Sequence, residues 1–137
     1  MTIRRFEDLE CWQLARELTR QVYRVSGRGQ IRRASGSAMH NSAEGFDAGS
    51  NAEFARFLRI AQRSCTEVKS ELYVALDQNY ISEAEFHELY ALTSRVHKTI
   101  GGFIRYLVSA AKPTISKSRE SPPPASNQER RTKNQKT

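Results

Sequence analysis

Proline is missing from the first 112 residues of this 137-residue chain, and all four prolines fall in the last 25. A stretch of that length without the strongest helix breaker leaves room for long helices. Alternating runs of β-branched residues are missing as well, which argues against strands. No apolar run approaches the roughly eighteen residues that a membrane-spanning helix needs. The opening Met1-Thr2-Ile3-Arg4-Arg5-Phe6 leads into charged residues rather than the apolar core of an export signal. A cytoplasmic protein with no membrane partner is expected. Cysteine is scarce: Cys11 and Cys65 lack CxxC spacing, so neither a zinc site nor a disulfide framework is indicated. Both fall on apolar helix faces, where a reduced cysteine acts as a small hydrophobe.

What is present is helical periodicity. From about Asp8 to Val25, the residues Cys11, Leu14, Ala15, Leu18, Val22 and Val25 share one apolar stripe. Gly27-Arg28-Gly29 then reads as a tight turn. A second helix, about Gln30 to Glu44, contains Ala34-Ser35-Gly36-Ser37-Ala38 and offers little apolar area. Either its small residues let it approach a neighbour closely, or it is the weakest element. Gly45 and Gly49 follow, and Ser50-Asn51-Ala52-Glu53 has the form of a capping box opening a third helix that runs to about Gln78. Ser82-Glu83-Ala84-Glu85 is a second such box. It starts a fourth helix with Phe86, Leu89, Tyr90, Val96, His97, Ile100, Phe103, Ile104 and Leu107 on one stripe, and Gly101-Gly102 off it.

The last two helices, each about 27 residues or roughly 40 Å long, are joined by a three-residue turn and must be antiparallel neighbours. The fold class expected is all-α: an antiparallel up-down four-helix bundle over residues 1–110. A disordered basic tail over 111–137, rich in Pro, Ser and Lys, is expected to follow it. That tail carries seven Lys/Arg against two Glu, whereas residues 1–110 carry fifteen basic against thirteen acidic. Within the bundle, residues 1–63 sum to +4 and 64–110 to −2, which hints at a polyanionic partner for the first half.

Five blocks, in order, resemble a known family. Phe6-Glu7-Asp8-Leu9-Glu10-Cys11-Trp12 resembles the FxDLxxW opening of the four-helix-bundle proteins encoded by intervening sequences in bacterial 23S ribosomal RNA genes. Ile31-Arg32-Arg33-Ala34, Asn41-Ser42-Ala43-Glu44-Gly45-Phe46, the stretch Glu53 to Ala61, and Leu76 to Ser82 continue the similarity. The resemblance implies a homo-oligomeric bundle, pentameric in family members, without catalytic activity. Related bundles are accessory proteins of reverse transcriptases in diversity-generating retroelements, where a basic surface is thought to hold nucleic acid. The chain departs from the family in its shorter first hairpin, with only Ser26 to Gln30 between the helices. It also departs in helix two, where Gly36, Ala38, Met39 and Ser42 replace branched residues and a proline. Both departures bear on the packing and length of helix two and on assembly.

The leading candidate for function is a row of arginines. Arg16, Arg20 and Arg24 recur every fourth residue opposite the apolar face of helix one, and Arg28 follows in the turn. The helix spaces them about 6 Å apart, near the spacing of successive phosphates, and the planar arginine fork suits phosphate. Arg32 and Arg33 start helix two, while Arg56, Arg59 and Arg63 lie opposite the core face of helix three. Binding to RNA or DNA through them would be electrostatic and nonspecific, since no RNA-recognition motif, KH loop or zinc knuckle is present. The alternative is an ordinary solvated face on a scaffold that docks a protein partner such as a reverse transcriptase. Trp12 and Tyr23 could stack on bases or pack at a helix or subunit interface. Arg33, His40 and Glu44 share a face and could form an ion-pair patch between subunits. His40 and Glu44 are also spaced i, i+4 for a metal, but no third ligand is evident. His87 lies beside glutamates and His97 on the apolar stripe. With no nucleophile motif, HExxH or phosphate loop, the chain reads as non-enzymatic and free of cofactors.

Overall fold

A computed structural model of the chain describes residues 3–110; the expected tail, 111–137, lies outside the described residues. A 3-10 turn at Phe6–Asp8 precedes four helices: α1 (Glu10–Val25), α2 (Gly29–Phe46), α3 (Asn51–Asp77) and α4 (Glu83–Ala110). No strand occurs among the described residues. Each helix packs on its neighbours in the chain, and α1 closes the ring on α4. With short connections the chain runs up, down, up and down. The pairs α1/α3 and α2/α4 are therefore diagonal. Leu18, Val22, Leu58, Val68, Leu72, Val96 and Ile100 fill the centre and are completely buried.

α1 begins two residues later than its periodicity suggests. The 3-10 turn takes up Phe6–Asp8, and the extended Leu9 (φ −74°, ψ 126°) drops its side chain into the core. At the other end of α1, the half-buried Arg32 donates from Nε to the Ser26 carbonyl at 2.8 Å and from Nη2 to the Tyr23 carbonyl at 3.1 Å. It thereby satisfies backbone acceptors that a helix C-terminus leaves open. These bonds let a three-residue connection turn the chain from α1 into α2.

The ends of the long hairpin are also built from local chemistry. The Ser50 hydroxyl accepts from the Glu53 N–H at 3.2 Å, but the Glu53 carboxylate turns to Arg56 at 3.1 Å, so the expected box is met on one side. The second box closes on both: Ser82 N–H donates to Glu85 Oε1 at 2.9 Å, and Glu85 N–H to Ser82 Oγ at 3.0 Å. Between them α3 ends in a Schellman motif. Asn79 stands in the left-handed region at φ 62°, Tyr80 N–H donates to the Ala75 carbonyl and Asn79 N–H to that of Leu76.

Helix two is the close-packing element, not a weak one. At 18 residues it is longer than the 16-residue α1, and its packing against α3 is the broadest between any two helices. The small residues Ala34, Ser35, Ala38, Ser42 and Gly45 are buried. Across the seams, Thr19 Oγ1 donates to the Ser35 carbonyl at 3.0 Å, and the Ser37 and Ser64 hydroxyls bond at 2.7 Å. A Cβ on Gly45 would stand 2.8 Å from Phe54 Cδ1 and 3.0 Å from Phe57 Cβ. The turns of the two hairpins meet at one end of the bundle, where Arg28 lies 4.9 Å over the Tyr80 ring and Ile81 is buried.

Candidate nucleic-acid interface

The arginines singled out by spacing divide into several environments. On the outer face of α1, the Arg16 guanidinium lies 5.6 Å from the Trp12 ring. Arg20 holds Glu17 at 2.6 Å. Glu17 also accepts from Gln21 at 2.7 Å, and these two donors, Gln21 foremost, pull its carboxyl below the ordinary value. Arg24 makes no ion pair among the described residues. Arg28 donates to the Tyr80 hydroxyl at 3.4 Å. Arg32 donates from Nε and Nη2 to backbone carbonyls, which makes it a structural residue of the α1–α2 corner. Arg33 is exposed on α2. On α3, Arg56 is bound to Glu53 and lies 4.7 Å over Phe57, whereas Arg59 and Arg63 are exposed and have no ion pair among the described residues.

These nine arginines do not make one surface. Because α1 and α3 are diagonal, the stripe on α1 and the stripe on α3 point away from each other across the bundle. What stands beside the α3 stripe is the second half of α4. Gln62 donates to the His97 carbonyl at 3.3 Å, and the Phe54 and Phe103 rings meet edge-on at 5.2 Å. These contacts set the level at which Arg59 and Arg63 lie alongside Lys98 and Arg105. The Arg105 guanidinium crosses 3.7 Å from where a Cβ on Gly101 would be, and the Gln62 amide stands 2.8 Å from the same point. Gly101 thus leaves room for both side chains at the α3–α4 seam.

Arg95, Lys98 and Arg105 were not singled out by sequence spacing, although a signal was there. Residues 54–66 and 91–110 contain Arg56, Arg59, Arg63, Arg95, Lys98 and Arg105 and not one Asp or Glu. The intervening 67–90 contain Glu67, Glu71, Asp77, Glu83, Glu85 and Glu88 against Lys69 alone. Folding the hairpin brings the two basic segments side by side and gathers the acidic one at the turn. The hairpin is charge-polarised along its axis, a pattern hidden when 64–110 is summed as one block.

Trp12 is 8% exposed and edge-on to Phe6 at 5.2 Å, so its ring belongs to the core and cannot stack on bases. Tyr23 is half-exposed, with the Arg32 guanidinium 4.3 Å over its ring. Arg33, His40 and Glu44 all lie exposed along α2 and form no ion pair with one another. Among the described residues no group of three or more His, Cys, Asp or Glu could hold a metal ion. His97 is half-buried, and its pKa is lowered first by burial and then by the nearby Lys69. His87 is exposed, its ring edge-on to Phe86. Both cysteines are buried thiols, and burial pushes that of Cys65 up to about 12.

Residues 7–102, from the 3-10 turn into the second half of α4, match the family of 23S rRNA-intervening sequence proteins. The chain belongs to that family. No curated protein sequence matches it. The blocks that carry the family resemblance hold the fold together. Phe6 and Trp12 pack on each other, Asn41 donates to the Ser37 carbonyl at 2.9 Å, Gly45 sits against Phe54, and Phe46 meets Phe54 edge-on. Family membership therefore carries the bundle with it, while a role has to be argued from the surface.

Proposed function

We propose that this family member is a non-enzymatic, homo-oligomeric protein that binds RNA or DNA through its phosphate backbone. The observation that carries the proposal is the basic half of the α3–α4 hairpin: Arg59, Arg63, Arg95, Lys98 and Arg105, exposed and without a carboxylate partner among the described residues. Cations already paired gain little from a phosphate, whereas unpaired ones on rigid helices lose little entropy and release counterions when they meet one. The α1 stripe contributes less, because Arg20 is committed to Glu17. Assembly is supported by the family and by the exposed Arg33, His40 and Glu44 on α2; an unchanged oligomeric mass after Glu44→Lys would exclude that patch from the subunit interface.

A second reading, docking of a protein such as a reverse transcriptase, is favoured at the opposite end. There Tyr73, Val74 and Tyr80 are each more than 40% exposed among acidic residues. The deciding measurement is affinity of the full chain for a structured RNA across a salt series. In the first variant Arg59, Arg63, Lys98 and Arg105 become Gln; in the second Arg16, Arg20 and Arg24 do. Each phosphate neutralised adds about 0.9 to the slope of log K against log salt, so the first variant should flatten that slope by about 3–4. The second should flatten it by clearly less. Unchanged affinity and slope in the first variant would refute the assignment.

A further inference from the structure

Resting on that assignment, we infer that the basic face takes a double helix in preference to a single strand. Its cations stand in two rows rather than one. At 100° per residue, Arg59 and Arg63 fall within about 40° of each other on α3, and Lys98 and Arg105 within about 20° on α4. The two rows belong to packed neighbours whose axes lie about 8–10 Å apart. A single strand presents one line of phosphates and follows one row at a time. A duplex presents two lines separated by a groove of about 6–12 Å, and can meet both rows together. It also carries one charge per roughly 1.7 Å of axis against 3.4 Å for one strand, so more phosphates lie within reach of the same fixed cations.

The face also lacks what single strands use. Proteins that hold single strands combine a basic groove with exposed rings on which bases stack. Here the exposed aromatics are segregated from the cations. Tyr73 and Tyr80 lie at the acidic turn end, where six carboxylates repel phosphate. Tyr23 is at the far end of α1, beneath Arg32. Among the described residues the one exposed ring near the basic face is Tyr106, which is rotated about 100° around α4 from Arg105. It is already stacked on Phe103, with centroids 5.5 Å apart and planes at 10°. The surface formed by two packed helices is a broad ridge, too wide to enter a groove and read base edges, so the bonds go to backbone and carry no sequence preference.

The test is fluorescence anisotropy with the full chain at one fixed salt concentration. Its probes are a 20-base-pair RNA duplex, the matching DNA duplex and each constituent single strand. The duplexes should bind at least about tenfold more tightly than their strands. Replacing Arg59, Arg63, Lys98 and Arg105 by Gln should collapse that ratio toward one, and Tyr106→Leu should leave it intact. Residues 111–137, with seven Lys/Arg against two Glu, are present in both proteins, so any duplex preference they contribute remains in the four-residue variant and is told apart there from that of the face. Equal affinity for duplex and strand, or a preference that survives the four substitutions, would overturn the inference while leaving backbone binding standing. Failure to bind any of the probes would overturn the functional assignment itself. Preference for one duplex type over the other identifies A-form or B-form backbone as the better fit and supports the inference either way.

Discussion

Adding one methyl group to α2 should have opposite consequences at two of its glycines. At Gly45 a Cβ would lie 2.8 Å from Phe54 Cδ1, 3.0 Å from Phe57 Cβ and 3.2 Å from the Phe54 carbonyl oxygen. Neither neighbour can step aside cheaply. The Phe54 ring is buried and wedged between Phe46 and Phe103, with centroids at 6.1 and 5.2 Å, and the carbonyl belongs to helix α3. Overpacking of this kind costs about 1–3 kcal/mol. The gain in helix propensity, up to about 1 kcal/mol, is smaller here because Gly45 is the penultimate residue of α2. Gly45→Ala should therefore destabilise by about 1–2 kcal/mol. At Gly36, mid-helix, the nearest atom to a new Cβ is the movable His40 Nε2 at 3.7 Å, so Gly36→Ala should gain about 0.5–1 kcal/mol from propensity alone. Urea unfolding followed by circular dichroism at about 222 nm, the helical band, reads both. A chain of this size shifts its midpoint by about 3–6 °C per kcal/mol in a thermal scan. If the two substitutions moved stability in the same direction, the close approach of α2 to α3 at Gly45 would not be what the small residues are for.

Other consequences can be checked on the same footing. Ser82→Ala removes the hydroxyl that accepts from Glu85 N–H and should cost about 1 kcal/mol, read by chemical denaturation. Arg32→Gln should lower stability by about 1 kcal/mol through the open carbonyls of Tyr23 and Ser26. It should leave the salt dependence of nucleic-acid binding unaltered; a flatter salt slope would return Arg32 to the phosphate-binding set. Cys65, with its thiol pushed up to about 12 against an ordinary 9.0, should resist alkylation in the native state at about pH 8 and react once the chain unfolds. Since its folded pKa is the higher one, the stability it contributes is fully present below pH 9 and is lost as pH rises from 9 toward 12, which alkaline denaturation of a Cys65→Ala variant would isolate.

Much of this architecture was legible in the order of residues because its causes are local. Helical periodicity, the absence of proline before Pro113 and the pair Ser82/Glu85 each act within a few residues of chain, so number, order and antiparallel sense of the helices follow from them. The small residues of α2 were visible too, but whether they meant weakness or close packing depends on what faces them, and only the Phe54 and Phe57 side chains on α3 decide that. The same limit applies to the arginines. Spacing shows that Arg16, Arg20 and Arg24 line one face of a helix, yet not that Arg20 is held by Glu17 or that α1 and α3 stand diagonally apart. Arg32 reads as one more cation until the turn brings its guanidinium onto the carbonyls of Tyr23 and Ser26. Above all, residues 54–66 and 91–110 are separated by the acidic 67–90 in sequence and become neighbours only when the hairpin closes. Charge acts through space, so a basic surface made of two distant segments belongs to the tertiary structure; the chain by itself determined the helices on which it is built.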